Sequence, residues 1–344
     1  MAETIEIRFV VGAQYAGWRL DHFLKAQVPR LSRARIQRMI AAQAELPEQA
    51  ADPAAQGSSA AAGRWRAAAR VQPGQQIRLV RPAPIEPAVP RHFEVLHADE
   101  ALLAIAKPAG LPMHATARYH HNTLTALLRE HFGSAATPRL VHRLDRETSG
   151  IVLLARTRAA EIALKRQLAQ RRMHKSYLAI VHGDPGPTGV IELPIGADGA
   201  SGIRVKRAVV ADGLPSCTRF VRLERRGAFS LVQAMPETGR QHQIRVHLAA
   251  VGAPVVGDKL YGPGPSCHLE YLETGWTESL AQRLLLPRHA LHAASVCFTH
   301  PTQGEVVQLR CPLTADLVAF WGALPGESRD GCSALEHVLP QEAL

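Results

Sequence analysis

The segment VHRLDRETSG, residues 141–150, leads directly into the apolar stretch GIVLLA, residues 150–155. The apolar stretch predicts a buried strand, so the polar segment lies at the mouth of that strand. Asp145 is flanked there by Arg143 and Arg146, and a carboxylate in such a place needs cationic neighbours to stay ionised. The alternative is a solvated turn with surface ion pairs, and this segment alone does not decide between the two.

A second polar segment is ETGRQHQIRVH at residues 237–247. It predicts a helix over residues 240–252 with Thr238 as its cap. His242 and Arg245 are three positions apart, so their side chains share one face of that helix. Such a face presents several donors in one direction and suits a carboxylate or a phosphate. The alternative is an ordinary polar face exposed to solvent.

Other segments carry less specific signals. KSYLAIVHG at 175–183 reads as a strand, in which Tyr177 is more often a core residue than a catalytic one. KPAGLPMH at 107–114 is a Pro/Gly turn after a predicted buried strand, and it suits a loop over an active site. GDKLYG at 257–262 and RHALHA at 288–293 are polar turns without a specific meaning of their own.

The composition limits the function classes. The 344 residues carry a formal net charge of +10, with a pI of about 9.8, which favours a polyanionic partner such as nucleic acid. Five cysteines, an odd number without C-x-x-C spacing, predict neither a disulfide framework nor a zinc site. The paired His120 and His121 have no cysteine or carboxylate at metal-ligand spacing, so no metal is expected there either.

The same features predict where the protein works. MAETIEIRFV, at the start of the chain, has two early glutamates and no apolar core of a signal peptide. No apolar run is long enough to span a bilayer. Together with the unpaired cysteines, these features lead us to expect a cytoplasmic protein that does not associate with membranes.

The chain is predicted to divide into four segments. Residues 1–81 hold a short strand, two basic helical stretches, an Ala/Gln/Gly/Ser-rich loop at 41–63 and a second strand. Four prolines favour an extended linker at 82–90. Residues 91–321 are predicted to form the larger domain, and residues 322–344 a flexible tail.

The larger domain is predicted to be α+β, with a mixed and largely antiparallel sheet. ALLAIA at 101–106 and GIVLLA at 150–155 are predicted buried strands, and residues 158–173 a helix with a basic outer face. Residues 217–235 predict an antiparallel hairpin that turns at 225–227. This pattern differs from a regular alternation of strands and helices.

Taken in order, KPAGLPMH, HRLDRETSG, KSYLAIVHG, ETGRQHQIRVH, GDKLYG and RHALHA resemble the motifs of the RluA-type family of pseudouridine synthases. The resemblance covers about residues 91–312 and implies a catalytic domain with a central cleft. It implies that Asp145 is the catalytic aspartate, Tyr177 the active-site tyrosine and Arg245 the basic partner of the aspartate. Arg143 matches the arginine that helps to displace the target base. Three neighbours are expected to contact the substrate: His142, Arg240 and His242.

The N-terminal region is similar to the small RNA-binding domain named for ribosomal protein S-four. The matching stretch is GWRLDHFLKAQVPRLSRARIQRMI at 17–40. Four of its arginines would face phosphates: Arg30, Arg33, Arg35 and Arg38. The sequence departs from the family pattern after the second helix, where such domains carry a short strand and an Asn-Gly turn and this chain has the loop 41–63.

The resemblance implies an isomerase that converts uridine in structured RNA to pseudouridine. That reaction involves no net redox change and loses no group, so we expect no cofactor. Large-subunit ribosomal RNA is the expected partner and tRNA the alternative, and we expect a monomer. Two other classes compete with this interpretation. One is an inert RNA-binding assembly factor, and the other is a glycosidase that pairs Asp145 with Glu147 as its acid.

Overall fold

The computed structural model of the protein describes residues 4–29, 31–42, 66–82, 86–116 and 118–325. The chain forms two compact units, Met1–Ile85 and Glu86–Leu344, and each is described by itself. None of the helices within the described ranges has the length and apolar character needed to cross a membrane.

The N-terminal unit packs two helices with a two-stranded antiparallel sheet. The sheet pairs β1, Thr4–Val10, with β2, Gln76–Pro82, and the helices are α1, Leu20–Gln27, and α2, Arg33–Ala42. Apolar side chains at the helical spacing of three and four residues point inward and form the core. Its buried members are Val11, Leu20, Phe23, Leu24, Ile36, Ile40, Val71, Ile77 and Leu79.

The larger unit contains twelve of the described strands and six of the described helices. The strands are β3 Glu94–Ala98, β4 Leu102–Lys107, β5 Arg139–Leu140, β6 Ser149–Ala155, β7 His174–His182, β8 Thr188–Ile191, β9 Ile195–Ala197, β10 Arg207–Val209, β11 Thr218–Arg226, β12 Phe229–Pro236, β13 Leu291–Thr299 and β14 Val306–Arg310. The helices are α3 Leu124–Ala136, α4 Arg158–Ala169, α5 Gln243–Ala250, α6 Ser266–Thr274, α7 Glu278–Leu284 and α8 Ala315–Gly322.

Ten of these strands form one sheet in the order β3-β4-β6-β13-β7-β12-β11-β8, with β14 added to β13 and β5 to β6. β9 and β10 form a separate antiparallel pair. Among the described strands, β6 and β13 are the one parallel pair. The predicted mixed, largely antiparallel sheet is therefore confirmed.

The centre of this sheet is buried on both faces. All seven residues of β6 are buried, and alternate residues of β4 and β6 contribute to two separate apolar clusters. Gly150 lies where β6 meets β13, and a Cβ atom at that position would come within 2.2 Å of the Ala293 carbonyl oxygen. The predicted buried strands are confirmed, and glycine is required at the point of closest approach.

Several predicted boundaries shift in the structure. Residues 240–242 precede α5, because the left-handed backbone of His242, with φ of 60°, cannot continue a helix. The side chain of Thr238 donates to Gln243 Oε1 and accepts from Cys217 N–H, so it does not cap α5. The helix predicted at 158–173 ends at Ala169, shortly before Arg171 adopts a left-handed φ of 57°.

The predicted segment limits also move. Pro82, assigned to the linker, pairs with Thr4 at the end of β2. A proline fits there because a two-stranded sheet leaves one side of the strand without a partner. α2 extends to Ala42 and α8 to Gly322, so residues 41–42 of the predicted loop and residue 322 of the predicted tail are helical. Residues 43–65 and 326–344 lie outside the described residues.

Candidate active site

Asp145 lies in the loop that connects β5 to β6. The backbone of this loop is fixed at Arg146, whose carbonyl oxygen accepts hydrogen bonds from Lys107 Nζ at 3.1 Å and from Gly110 N–H at 2.8 Å. The Asp145 side chain is 20% exposed. The carboxylate is therefore held by a well-anchored loop but remains accessible from one side.

Arg245 on α5 meets this carboxylate from the opposite wall. Its Nη1 donates to Asp145 Oδ2 at 2.9 Å. The rest of the guanidinium group binds Asp258, with Nε donating to Oδ2 at 2.6 Å and Nη2 donating to Oδ1 at 2.8 Å. Arg245 is thus shared between two carboxylates, and its planar fork suits the bidentate pair with Asp258.

His242 faces the other oxygen of Asp145. Its Nε2 lies 3.9 Å from Asp145 Oδ1, and its Nδ1 lies 2.8 Å from the hydroxyl oxygen of Tyr261. Gln243 organises the turn before α5, because its Oε1 accepts the Arg240 N–H and its Nε2 donates to Cys217 O. These contacts fix the entry into α5 and hence the position of both basic side chains.

The charges around Asp145 favour its ionised form. Burial raises the pKa of the carboxyl group, but His242 and Arg245 lower it by a larger amount, so the pKa lies below its ordinary value of 3.8. Burial and the Arg245 charge lower the pKa of His242 to about 4, so His242 is neutral at neutral pH. Arg245 is then the cation in direct contact with Asp145 that favours its ionised form.

Tyr177, on β7, lines the same cleft, which has a volume of about 850 Å³. The ring is buried, and burial and the Asp145 charge raise the pKa of its hydroxyl group above the ordinary value. The phenol therefore stays protonated at neutral pH. Every residue predicted to be catalytic or substrate-binding lines this cleft: His142, Arg143, Asp145, Tyr177, Arg240, His242 and Arg245.

The mouth of the cleft is rich in positive charge. Within the described part of the chain, Arg143, Arg171 and Lys175 have no acidic partner within ion-pair distance, and Arg143 is exposed. Burial lowers the pKa of Lys175, as expected for a cation without a counter-charge. Such groups suit an anionic ligand that enters beside Asp145.

The family assignment follows from comparison with known proteins. The sequence profile of the RNA pseudouridylate synthase family matches residues 101–250. An uncharacterized RNA pseudouridine synthase of Chloroflexus aurantiacus is 38% identical over 326 residues, which cover 92% of this chain and 93% of that protein. Ribosomal large subunit pseudouridine synthase D of Nitrosomonas europaea is 35% identical over 333 residues, covering 93% and 88%. The chain belongs to the RNA pseudouridine synthase family.

Solved structures agree with this assignment. The human protein described as RNA pseudouridylate synthase domain containing 4 matches 68% of this chain and 95% of its own, with a TM-score of 0.52 and 27% identity. The human RNA pseudouridylate synthase domain containing 1 matches 70% and 99%, with the same TM-score and 28% identity. The predicted family and the α+β fold class of this pseudouridine synthase are confirmed.

Two of the predicted substrate-binding residues have additional contacts in this pseudouridine synthase. His142 accepts the Leu153 N–H through Nε2 at 3.1 Å, and burial and the Lys175 charge lower its pKa to about 3. His142 is therefore tied to β6 as well as lining the cleft. Arg240 is exposed and donates from Nε to the Pro215 carbonyl oxygen at 3.3 Å, the one hydrogen bond that its side chain makes to the described residues.

The predicted RNA-binding arginines lie in the N-terminal unit. Arg33, Arg35 and Arg38 are exposed on α2, and Arg30 lies outside the described residues. Arg33 donates from Nε to the buried Asp21 at 2.9 Å, so part of its guanidinium group serves this unit itself. Whether these arginines bind RNA stays a prediction.

Sequence reasoning missed two residues that contact the site. Asp258 and Tyr261 both come from the GDKLYG segment, which reads as an ordinary polar turn. In the structure Asp258 is fully buried and binds Arg245, while Tyr261 contacts His242. The turn itself carries no signal for these contacts, because the partners of both residues lie in another segment of the chain, at α5 and the residue before it.

Proposed function

We propose that this pseudouridine synthase isomerises uridines in large-subunit ribosomal RNA, with Asp145 as its catalytic carboxylate. The observation that carries the proposal is a carboxylate bound by Arg245 and open to a cleft that Tyr177 lines together with Arg143, Arg171 and Lys175, which have no acidic partner among the described residues. Relatives that align along most of the chain are named ribosomal large subunit pseudouridine synthase D. Their names support ribosomal RNA as the substrate.

The reaction breaks the bond between ribose C1′ and uracil N1, turns the base and joins C1′ to uracil C5. The C5 proton is lost and N1 gains one, so the atoms of substrate and product balance without a redox partner. An ionised Asp145 can serve this reaction as a nucleophile or as a base. Both roles require the negative charge that Arg245 maintains.

Tyr177 is proposed to lie against the uracil ring. Its raised pKa keeps the hydroxyl group protonated at neutral pH, so the phenol acts as a neutral surface for stacking and as a hydrogen-bond donor. Removal of the C5 proton then falls to another group. The carboxylate of Asp145 lines the same cleft and is available for that step.

Arg143 is proposed to assist entry of the target base. A uridine inside a helix or loop must leave its stack to reach Asp145, which costs roughly a few kcal/mol. Arg143 is exposed at the cleft mouth and has no ion-pair partner among the described residues, so its side chain is free to fill the vacated space.

The N-terminal unit is proposed to be an S-four-like RNA-binding domain that adds phosphate contacts. Exposed Arg35 and Arg38 on α2 support this role. We further propose that the proline-rich stretch 82–90 joins this unit to the catalytic domain, of which Glu86 is already a part through its hydrogen bonds from the His120 and Asn122 N–H groups. The protein is proposed to act as a monomer. Ribosomal RNA as substrate implies a cytoplasmic site of action.

The test is a direct measurement of pseudouridine formation. The full-length protein is incubated with unmodified large-subunit ribosomal RNA and, separately, with unmodified tRNA, and pseudouridines are mapped by chemical labelling. We expect modification of specific uridines in ribosomal RNA, and none with Asp145→Asn. Modification of tRNA alone would show that tRNA, and not ribosomal RNA, is the substrate. Absence of modification in both RNAs would contradict the proposed activity.

The two competing classes fit the site less well. An inert assembly factor has no need of an ionised carboxylate held against Arg245 in an open cleft. A glycosidase needs a second carboxyl group that donates a proton. Glu147 instead accepts hydrogen bonds from Lys259, at 3.0 Å to both oxygens, and from Arg146 at 2.9 Å.

A further inference from the structure

Both oxygens of Asp145 face a nitrogen donor, and both donors are held by the turn GDKLYG at 257–262. Arg245 faces Oδ2 at 2.9 Å and is held by Asp258. His242 faces Oδ1 at 3.9 Å and is held by Tyr261. The proposed reaction does not by itself require this arrangement, so it calls for an explanation of its own.

The hydrogen bonds determine which nitrogen of His242 carries the proton. Tyr261 accepts the Arg207 backbone N–H through its hydroxyl oxygen at 2.9 Å. Burial raises the pKa of Tyr261 to about 12, so the hydroxyl keeps its own proton. Within the described part of the chain, His242 Nδ1 is the acceptor that lies within reach of that proton. Neutral His242 must then carry its hydrogen on Nε2, directed at Asp145.

The backbone at His242 supports this interpretation. A φ of 60° is unfavourable for a residue other than glycine and persists where the surrounding structure enforces it. The strained conformation places the ring between Tyr261 and Asp145 instead of at the start of α5. At 3.9 Å the Nε2 is too far for a hydrogen bond, and such bonds often shorten when substrate binds.

We propose that Asp258 and Tyr261 are positioning residues of the active site, and that Tyr261 fixes His242 as the second hydrogen-bond donor to Asp145. Asp258 orients Arg245 towards one oxygen, and Tyr261 orients the N–H of His242 towards the other. Once the distance between His242 Nε2 and Asp145 Oδ1 shortens on substrate binding, the carboxylate is held in one rotational state by both donors. This inference rests on the proposed role of Asp145.

The first test is spectroscopic and independent of activity. Protein labelled with ¹⁵N in histidine is examined by NMR, and the His242 signals are assigned from the His242→Gln variant. We expect the Nε2–H form in the parent and a mixture of both neutral forms in Tyr261→Phe. An Nδ1–H form in the parent would overturn the inference.

The neutral form should persist across the neutral pH range. Arg245 and Arg207 disfavour a charge on His242, and together with burial they outweigh Asp145 and Asp258, which favour it. A parent His242 that becomes charged within that range would also overturn the inference.

The second test is a double-mutant cycle on the rate of a single turnover. Tyr261→Phe is expected to slow the reaction about 10-fold, the effect of removing one hydrogen bond, with little change in RNA affinity. In a His242→Gln background the same change should have no further effect, because Tyr261 acts through His242. Tyr271→Phe is the matched control, since its hydroxyl makes no hydrogen bond within the described ranges.

Asp258 is tested in the same way against Arg245. In Asp258→Asn the amide NH₂ group takes the place of one carboxylate oxygen and cannot accept hydrogen bonds. In one orientation it opposes Arg245 Nε, and in the other it opposes the N–H groups of Leu260 and Tyr261, so either orientation breaks hydrogen bonds. We expect a loss of about 100-fold, the cost of a displaced catalytic group. In an Arg245→Met background the neutral amide no longer leaves a buried charge unpaired, so Asp258→Asn should add no further loss of activity.

The outcomes separate this inference from the proposed function. An inactive parent protein would refute the proposed function. An active parent with additive losses in both cycles, or with no loss in Tyr261→Phe, would refute the inference alone. Additive losses are what a purely structural role of the turn predicts.

Discussion

Arg245 donates a hydrogen bond of 2.9 Å to Asp145, although 100 positions separate the two residues in the chain. In Arg245→Met, burial of Asp145 is no longer opposed by this cation, so its pKa rises. Activity that requires the ionised carboxylate then begins at a higher pH in the variant. In the parent the carboxylate stays ionised as the pH falls to below its ordinary pKa of 3.8, so activity persists to lower pH. We expect a loss of at least about 100-fold at neutral pH.

Arg245→Lys is the matched control for this prediction. Lysine retains the charge but cannot contact Asp145 and Asp258 with one planar fork. The turnover of Arg245→Lys, and the pH at which its turnover falls off in acid (the acidic limb), should therefore lie between those of the parent and of Arg245→Met. Arg245→Met should also be destabilised by about 3–5 kcal/mol, because it removes the cation that pairs with the buried carboxylate of Asp258. Turnover against pH and unfolding in urea check both effects. An unmoved acidic limb in Arg245→Met would show that another group keeps Asp145 ionised.

Asp145→Asn should abolish pseudouridine formation while the protein still folds and binds RNA. The amide cannot act as nucleophile or base, and we expect a loss of at least about 10⁴-fold. Folding persists because Arg245 keeps its bidentate pair with Asp258. Single-turnover rates and RNA affinity are measured for this variant and for Asp184→Asn, which alters a surface ion pair with Arg222. Near-parent rates in Asp145→Asn would remove Asp145 from the mechanism.

Lys175 is expected to bind a phosphate of the substrate, and Arg143 is expected to contact the phosphates beside the target base as it fills the space that the base leaves. Replacing either with glutamine should weaken RNA binding and reduce the slope of log affinity against log salt by roughly 0.7–0.9 for each phosphate that is no longer neutralised. Arg158→Gln serves as the control, because Arg158 is exposed on α4 and already pairs with Glu161 at 2.7 Å. Equal slopes in all four proteins would assign the two cleft cations a role other than phosphate binding.

The exposed arginines of α2 should differ in what they contribute. Arg35→Gln and Arg38→Gln are expected to weaken RNA binding without changing stability, since neither side chain has an acidic partner within the described ranges. Arg33→Gln should reduce both RNA binding and the stability of the unit, because Arg33 also binds Asp21 at 2.9 Å. RNA affinity and hydrogen exchange of α1 are measured on the three variants. A stability loss in Arg35→Gln equal to that in Arg33→Gln would contradict this division of roles.

Asp21 gives a pH-dependent test of the same unit. Burial raises the pKa of this carboxyl group, but hydrogen bonds from Arg19, Gln37 and Arg33 lower it by more. A carboxyl group with a lowered pKa stabilises the fold above its ordinary pKa of 3.8, and the effect is lost as pH falls towards the folded-state value. Asp21→Asn should cost about 2 kcal/mol at neutral pH and progressively less in acid. Hydrogen exchange of α1 in the parent and in Asp21→Asn, at neutral pH and below pH 3.8, measures the loss of stability. An equal loss under the two conditions would contradict the prediction.

Much of the architecture could be predicted from the sequence. The apolar run at 150–155 marks the fully buried strand β6, because a strand buried on both faces needs apolar residues at every position. The polar motifs around Asp145 and Arg245 indicated the family and predicted that these residues would meet, and the structure places them in contact. Apolar runs and dense polar motifs can be recognised in a single sequence because all the residues that define them are neighbours in the chain.

The parts that escaped prediction depend on contacts between segments. The left-handed φ of His242 has no signature in the sequence, so the helix was expected to begin at Arg240. Asp258 is an ordinary turn residue by pattern, and its importance arises from Arg245 packing above it. Local propensity describes a residue and its chain neighbours, whereas these features are decided by a partner more than ten positions away.

The parallel pair of β6 and β13 has a consequence for how the protein is made. Ser149 lies beside His292, 143 positions further along the chain, so the centre of the sheet closes across almost half of the sequence. Contacts of such long range form slowly, and during synthesis β6 emerges long before its partner exists. A nascent chain that ends before Leu291 therefore contains Asp145, Tyr177 and Arg245 but lacks the strand that joins β6 to β7. Such a chain is expected to be inactive, and the enzyme begins work only after β13 has been synthesised and has joined the sheet.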